Sequence, residues 1–272
     1  MGRKFKIKFR EENLILNKKV LKIFVCTHKI VKTIENDIYY PLLCGAWDKL
    51  DNNDFLRDDL KENISKKNLN YSELTGIYWI WKNIESDYKG ICHYRRYFNL
   101  KEKEIISFKK INKDIIFPKN EVENILEEVD LIVPKPIIFK EGIESQYLNC
   151  HNKENFMILK EILYKKYSKE LIDTYFKTKK LYPYNMFITR NEIFNDYSKW
   201  LFEILSEVEQ KIKIPEDKYQ ARVFGFMSER LLGLYIELNN LKTKEVYVTM
   251  LSETPLKDRI KNLKNKILNK LK

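Results

Sequence analysis

The 272-residue sequence contains only seven glycines and seven prolines. Long flexible linkers and collagen-like or low-complexity architecture need more of both, so neither is expected here. No apolar run reaches the about 18 residues of a membrane-spanning helix, and no signal-peptide core is visible. With 44% hydrophobic residues, the chain has enough apolar material for one large cytoplasmic domain.

The sequence also lacks the short motifs that mark several enzyme classes. It has no GxGxxG or Walker loop, which disfavours a dinucleotide or P-loop site, and no GxSxG, which disfavours a serine hydrolase. Its cysteines form no CxxC pair and match no zinc spacing. They are typical of reduced, mostly buried thiols in a cytosolic protein: Cys26, Cys44, Cys92 and Cys150.

The net charge of +12 is concentrated at the two ends of the chain. Residues 1–10 carry five basic and no acidic side chains, and residues 256–272 carry seven basic residues and one aspartate. The body between them is therefore nearly neutral. A nucleic-acid-binding protein usually spreads basic residues over its folded face, so we expect no nucleic-acid partner.

The last segment, 256–272, has apolar residues every three or four positions and lysines between them. This pattern predicts an amphipathic helix that lies on an anionic membrane surface. The alternative is a helix docked on the domain with a solvated lysine face. The chain is thus divided into a basic lead-in (1–20), one domain (21–252) and a basic amphipathic helix (253–272).

Apolar patterning between the tails predicts strands alternating with helices. Such alternation favours an α/β fold with a largely parallel sheet, in which ligands bind at the carboxyl ends of the strands. Strands are predicted at 21–29, 88–98, 131–133, 181–190 and 244–250, and helices at 70–84, 121–130, 152–180, 191–212 and 219–236. Asn70 and Asn191 are the predicted caps of two of these helices.

The stretch "GICHYRRYF" (90–98) places a cationic and aromatic cluster at the end of a buried strand. Arginine pairs hold phosphate or carboxylate bidentately. Strand alternation would send Arg95 and Arg96 to opposite faces, so we expect one of them to reach a ligand. The alternative is a structural arginine in a salt bridge, beside a core histidine.

Six segments together resemble a known protein family: "KIFVCTHK", "NISKKNLNYSELTGIYWIWKN", "YKGICHYRRYF", "NMFITRNEIF", "YSKWLFEIL" and "QARVFGFMSERLL". The chain is similar, from about Lys22 to Tyr235, to bacterial capsular and exopolysaccharide biosynthesis proteins. That family was long catalogued as domain of unknown function 4422 and is regarded as glycosyltransferases. The resemblance implies a GT-A-like (Rossmann-like) fold with a mostly parallel central sheet flanked by helices. It also implies a nucleotide-sugar donor and a lipid-linked or growing glycan acceptor.

The sequence departs from many GT-A enzymes at one point. Those enzymes carry an Asp-x-Asp motif at a strand end, where it holds a divalent metal on the donor diphosphate. Here the corresponding residues are His93, Tyr94 and Arg95. We therefore expect no metal and no other cofactor, with the diphosphate bound by this cluster, Arg96 and the start of the preceding helix, Asn70 and Glu73.

The remaining site residues follow from the resemblance and from their positions at element ends. Thr27 and His28 are placed on the nucleoside side of the donor, although they are equally compatible with ordinary strand-end residues. Glu229 is the candidate carboxylate that takes the acceptor proton, with His93 as a second catalytic residue; a structural Glu229–Arg230 pair is the alternative. The predicted acceptor-side residues are His151, Asn185, Gln220 and Arg222.

Together these features predict a hexosyltransferase for capsular polysaccharide, exopolysaccharide or lipopolysaccharide, peripheral on the inner face of the plasma membrane. A UDP-sugar is the expected donor, with galactose, pyranose or furanose, as the first choice of sugar. The sequence leaves a homo-oligomer open. A non-enzymatic adaptor or regulator of polysaccharide assembly at the membrane surface is the alternative, although such a protein would have no use for the cluster at 93–96.

Overall fold

The computed structural model describes residues 19–252, except residues 35, 52–53, 100, 102 and 108–116. Most of the basic lead-in and the predicted amphipathic helix at 253–272 lie outside the described residues. Within the described part of the chain, no helix is both long enough and apolar enough to cross a membrane.

The described residues form twelve strands, ten in one large sheet and two, the eighth and ninth along the chain, in a separate small one. In chain order they are β1 (Leu21–Thr27), β2 (Tyr39–Leu43), β3 (Leu56–Arg57), β4 (Tyr88–His93), β5 (Arg96–Phe98), β6 (Ile105–Ser107), β7 (Leu131–Pro134), β8 (Ile137–Ile138), β9 (Lys180–Leu181), β10 (Phe187–Arg190), β11 (Thr243–Val246) and β12 (Val248–Leu251).

The main path of the sheet runs β11-β7-β10-β4-β1-β2-β3. Its pairs are parallel except at β10, which runs antiparallel to both β4 and β7. The predicted α/β fold with a mostly parallel sheet is confirmed. Because β10 runs the other way, its amino-terminal end lies at the same edge as the carboxyl end of β4.

Eight helices belong to the described residues and flank the sheet. They are α1 (Asn68–Tyr71), α2 (Leu74–Asn83), α3 (Lys119–Glu128), α4 (Ile143–Cys150), α5 (Lys153–Lys166), α6 (Lys169–Lys177), α7 (Asn191–Glu209) and α8 (Val223–Leu238). Periodicity locates most of them correctly, but α4 has no counterpart among the sequence predictions.

The predicted helix at 70–84 is wrong in its first turns. The chain forms the short α1, reverses at Ser72 and starts again as α2, because Ser72 adopts φ 52° and ψ −132°, outside the helical region. Asn70 therefore lies inside α1 rather than capping a helix. Asn191 is not a side-chain cap either, since it is already the first residue of α7 and its buried Oδ1 has no partner.

The two faces of the sheet carry separate apolar layers. Along β1, Phe24 packs into the layer that holds α2, α7 and α8, while Ile23 and Val25 face the layer with α3. This alternation is what a strand buried on both faces requires. The four cysteines are all free, with three buried and Cys150 exposed.

Candidate active site

One cleft of about 720 Å³ opens where β1 and β4 end. Its walls come from these strand ends, the α1–α2 junction, the turn before β10 and the start of α8. All three histidines of the chain, His28, His93 and His151, line it. Elements that are far apart in the sequence therefore converge on a single site, as the carboxyl edge of a parallel sheet predicts.

The cluster at 93–96 is a tight hairpin, not a continuous strand. His93 ends β4, Arg96 starts β5, and these two residues pair antiparallel across a turn made by Tyr94 and Arg95. The expectation that strand alternation separates Arg95 from Arg96 is wrong for this reason. Both arginines line the cleft.

Each arginine of the hairpin lies over an aromatic ring. The Arg96 guanidinium carbon is 4.4 Å from the centre of the Tyr184 ring, and that of Arg95 is 5.0 Å from the Tyr94 ring. Arg96 Nε is buried without a hydrogen-bond partner. Arg96 as a whole lines the cleft, and guanidinium groups are strong hydrogen-bond donors to anions.

The turn before β10 organises the centre of the site. Tyr184 and Asn185 are consecutive residues with positive φ, 76° and 52°. The Tyr184 carbonyl oxygen lies 2.6 Å from His93 Nε2, and its backbone N–H donates to Glu229 Oε1 at 2.9 Å. One strained residue thus contacts a histidine, a carboxylate and the Arg96 side chain.

His93 is uncharged in this setting. Burial lowers its pKa, and the positive charge of Arg96 acts in the same direction, whereas Glu73 opposes it. Burial also lowers the pKa of His151. Both rings therefore offer hydrogen bonds rather than charge at neutral pH.

Glu73 and Glu229 are the two carboxylates of the cleft wall. Glu229 Oε1 accepts from Tyr184, and its Oε2 pairs with Arg230 at 3.1 Å. Burial raises the pKa of Glu229, and the negative charge of Glu73 acts in the same direction. The predicted Glu229–Arg230 pair therefore exists, and it lies in the cleft wall.

Asn185 does not line the cleft, although the sequence placed it on the acceptor side. It is 1% exposed, and its Nδ2 donates to Glu73 Oε1 at 2.7 Å. Ser228 Oγ lies 2.9 Å from its Oδ1, which fixes the orientation of the amide. Asn185 therefore acts on the site through Glu73.

The first strand ends at the cationic side of the cleft. His28 contacts the Tyr94 ring edge to face, with 5.5 Å between ring centres. Partial burial lowers its pKa, and the positive charges of Lys29, Lys49 and Arg95 lower it further. The Thr27 hydroxyl forms a hydrogen bond within its own loop: it donates to the Lys29 carbonyl oxygen at 2.5 Å.

The opposite side of the cleft is aromatic. His151 stacks on Phe226 with 4.1 Å between ring centres, and Tyr219, which is 57% exposed, extends the wall. Gln220 Oε1 lies 3.0 Å from His151 Nδ1 and its Nε2 donates to the Cys150 carbonyl oxygen, so Gln220 fixes the ring from behind. Arg222 lines the cleft and donates to Ser72 Oγ.

Two predicted residues besides Asn185 lie outside the lining. Gln220 supports His151, and Asn70 Nδ2 donates to the Ala221 carbonyl oxygen, joining α1 to the segment before α8. Sequence reasoning also missed several lining residues, among them Tyr184, Lys218, Tyr219 and Phe226. Of these, only Tyr184 could have been found from its neighbours in the sequence, because it follows a proline, which marks a turn between two strands.

The residues at the end of β4 do not fit the divalent metal of many GT-A enzymes. Magnesium and manganese prefer carboxylate and carbonyl oxygens, but this strand end presents Arg95 and Arg96. No group of three or more His, Cys, Asp or Glu side chains is placed to hold a metal ion in the part of the chain that the structure describes. The donor set at this position suits an anion.

Comparison with known proteins gives two matches. A family model described as "Domain of unknown function (DUF4422)" matches residues 22–240, which is most of the chain. The chain belongs to the DUF4422 family. No curated protein matches the sequence.

The DUF4422 domain also resembles a solved structure, that of the WbbM bifunctional glycosyltransferase in its apo form. The TM-score is 0.77 at 30% sequence identity, and the match covers 86% of this chain. It covers 46% of the WbbM chain, so this protein spans about half the length of that enzyme. The likeness confirms the GT-A-like α/β fold expected from the sequence.

Proposed function

We propose that this DUF4422 protein is a glycosyltransferase that binds a nucleotide-sugar in the cleft and transfers the sugar to a glycan acceptor. The family match and the structural likeness to a bifunctional glycosyltransferase support this class of activity. The proposed donor is a UDP-sugar, with galactose, pyranose or furanose, as the first candidate.

The observation that carries the proposal is the charge of the cleft wall. Five cationic side chains line it, against two carboxylates: Arg95, Arg96, Arg222, Arg230 and Lys218, against Glu73 and Glu229. Charge-assisted hydrogen bonds from guanidinium groups are strong contacts for a diphosphate. In sugar transfer the diphosphate is the leaving group, so Arg95 and Arg96 would stabilise the negative charge that develops on it without a metal ion.

We assign one side of the cleft to the donor and the other side to the acceptor. The cationic side, with Thr27, His28 and Tyr94, is the proposed place of the nucleoside diphosphate. The aromatic side, with His151 and Tyr219, offers ring faces and hydrogen-bond groups to a sugar acceptor. Glu73 and Glu229 lie where the sugar would pass from one side to the other.

We also propose an acceptor and a cellular location. A lipid-linked or growing capsular polysaccharide, exopolysaccharide or lipopolysaccharide would bring the substrate to the inner face of the plasma membrane. The basic segment 256–272 would then hold the enzyme on the anionic lipid surface.

Calorimetric titration with UDP tests the donor site. We expect wild type and Lys165→Ala, a charge removed from the exposed face of α5, to bind UDP equally. Arg95→Ala and Arg96→Ala should each weaken binding by about tenfold or more, since each removes a charged hydrogen-bond partner. No UDP affinity in the wild type would favour the adaptor alternative.

A second measurement tests metal independence. UDP release from a panel of UDP-sugars, including UDP-galactose, should continue in the presence of a chelator. Activity that is lost with the chelator and restored by manganese would contradict the proposal that arginines replace the metal.

A further inference from the structure

Strained backbone is concentrated around one carboxylate of the cleft. The described residues include five non-glycine residues with positive φ, and three of them adjoin the same site: Ser72, Tyr184 and Asn185. Ser72 immediately precedes Glu73, and Asn185 donates to Glu73. Such conformations cost about 1–3 kcal/mol each and persist where the surroundings enforce them, often at functional sites.

The strained turn at Ser72 directs Glu73 into the cleft. A continuous helix from 68 to 83 would not need this reversal, and the fold holds it in place from several sides. Asn68 Nδ2 donates to the Ser72 carbonyl oxygen at 2.7 Å, and Arg222 Nε donates to Ser72 Oγ at 3.0 Å. Glu73 is thereby presented at the start of α2 beside His93, rather than on the surface of a longer helix.

A buried amide, that of Asn185, donates its shorter hydrogen bond to the same carboxylate and a longer one to the Gly225 carbonyl oxygen. Asn185 is 1% exposed, and its Nδ2 donates to Glu73 Oε1, while Ser228 Oγ holds its Oδ1. This bond orients the carboxyl group through one of its two oxygens. Glu229, in contrast, accepts from Tyr184 through one oxygen and from Arg230 through the other.

We propose that Glu73 is the catalytic base of the transfer and that Asn185 is its positioning residue, with Glu229 holding the Tyr184 turn. This inference rests on the proposed glycosyltransferase function. In the step, the acceptor hydroxyl oxygen bonds to the anomeric carbon of the donor while its proton moves to Glu73. The bond from that carbon to the diphosphate oxygen breaks, and its electron pair leaves with UDP. A single displacement of this kind inverts the anomeric configuration.

The location of Glu73 agrees with this role. It lies in the cleft wall with the hairpin arginines that would face the leaving diphosphate and the aromatic wall proposed for the acceptor. The titratable and charged groups around it are His93, Glu229 and Cys44, together with Arg222 on the neighbouring Ser72. A base must be close both to the acceptor hydroxyl and to the anomeric carbon, which is the centre of this cleft.

The test compares Glu73→Gln with Glu229→Gln and with Glu161→Gln, a matched change on the exposed face of α5. UDP release is measured with the UDP-sugar that the wild type turns over fastest, and UDP affinity is measured by calorimetry. Glu73→Gln should lower turnover by at least about 100-fold and change UDP affinity by less than about threefold, because a base acts on the proton rather than on the donor. Glu161→Gln should resemble the wild type.

The outcomes separate this inference from the function it rests on. A wild type that binds no UDP and releases none from any UDP-sugar overturns both. A wild type that is active, with Glu73→Gln retaining more than a tenth of its turnover or with retention of configuration in the product, overturns the base assignment alone. Greater loss in Glu229→Gln than in Glu73→Gln, at unchanged melting temperature and UDP affinity, also overturns it.

Asn185→Asp tests the positioning role by comparing kcat with KM and UDP affinity, which a merely structural defect would not separate. The substitution keeps the size of the side chain and places a second negative charge beside Glu73. Because aspartate cannot donate the hydrogen bond that orients Glu73, kcat should fall by at least about tenfold while KM and UDP affinity change by less than about threefold. A wild-type kcat at an unchanged melting temperature, or equal losses in kcat and UDP affinity, would contradict the positioning role.

Discussion

The backbone carbonyl oxygen of Tyr184 lies 2.6 Å from Nε2 of His93. A carbonyl oxygen can only accept, so the hydrogen of the neutral imidazole is on Nε2, and Nδ1 is left as an acceptor. A contact between residues from two distant turns thus selects one tautomer of a histidine in the cleft wall. The same contact joins β4 to the turn before β10.

Burial of His93 and His151 predicts a loss of stability in acid. Burial lowers the pKa of both His93 and His151 from their ordinary value of 6.5. The unfolded chain therefore binds these protons at a higher pH than the folded chain does. Since stability rises with pH where the unfolded state binds more protons, the free energy of unfolding should fall as pH decreases from about 7 to about 5.

Urea unfolding of His93→Gln measures the contribution of His93 to that loss. Glutamine does not titrate and keeps a side-chain N–H that can donate to the Tyr184 oxygen. The free energy of unfolding of His93→Gln should fall less steeply between pH 7 and pH 5 than that of the wild type. Identical slopes would contradict a lowered pKa for His93.

A second pH effect is expected from Lys89 in β4. Its side chain is fully buried, donates to Asn195 Oδ1 at 3.0 Å and lies over the Phe194 ring. Burial lowers the pKa of Lys89 to about 8. Between pH 8 and about 10.4 the unfolded chain binds the proton more than the folded chain does, so this lysine makes stability rise with pH in that window.

Replacing Lys89 with an uncharged residue should measure the free-energy cost of its buried charge. Lys89→Met fills the same space without a charge, and we expect it to stabilise the protein by about 2 kcal/mol at pH 7, with a smaller gain at pH 10. Chemical denaturation at both pH values measures the difference, with the exposed Lys165→Met as the control. A destabilised Lys89→Met would show that the Asn195 contact outweighs the cost of burying the charge.

Asp58 is predicted to be a principal stabilising residue near the cleft. Its fully buried carboxylate accepts from the backbone N–H groups of Gly45 and Ala46 and from the hydroxyls of Ser65 and Thr75, at 2.6–2.9 Å. Asparagine at this position would turn one acceptor into a donor facing other donors. We expect Asp58→Asn to lower the free energy of unfolding by about 2–4 kcal/mol.

Urea unfolding checks this value, with the exposed Asp37→Asn as a control that should change stability by less than about 0.5 kcal/mol. Because Thr75 belongs to the first turn of α2, Asp58→Asn should also weaken the proposed UDP binding at temperatures where the protein remains folded. A change below about 1 kcal/mol would contradict the role given to this network.

The end of α8 offers a stabilising substitution. Asn240 has φ 50°, its N–H donates to the Glu237 carbonyl oxygen, and the Leu241 N–H donates to that of Ile236. This is the Schellman arrangement, in which glycine is the preferred residue at the left-handed position. Asn240→Gly should raise the free energy of unfolding by about 0.5 kcal/mol.

The neighbouring residue provides the opposite control. Asn239 has φ −103° and its Nδ2 donates to the Tyr235 carbonyl oxygen. Asn239→Gly gains nothing from backbone freedom and loses this bond, so it should destabilise. Thermal unfolding of the two variants under the same conditions distinguishes them; equal melting temperatures would contradict the cap assignment.

The sequence allowed the α/β sheet and most helices to be predicted, because buried positions recur with the period of each element. It also identified ten of the 24 residues that line the cleft. It did not reveal the hairpin at Tyr94 and Arg95, since neither residue is typical of a tight turn. The reversal at Ser72 was missed for the same reason: a positive φ at serine depends on tertiary contacts, not on local propensity.

The sequence also could not show the direction in which individual side chains point. Asn185 and Gln220 occur in the expected segments, but neither lines the cleft; they contact Glu73 and His151, which do. Asp58 lies in a polar stretch that indicates a loop, and only the fold shows four donors around it. Such roles depend on partners from other elements, which a linear pattern does not contain.

The reversed direction of β10 has a consequence for how the protein folds. Phe187 pairs with Ile91 across β10 and β4, and the intervening chain includes five strands and four helices of the described part. Closing so long a segment costs chain entropy before its contacts can repay it, and pairings of this kind slow folding. We therefore expect the cleft to form late, and recovery of the proposed UDP binding during refolding should lag behind the formation of helices.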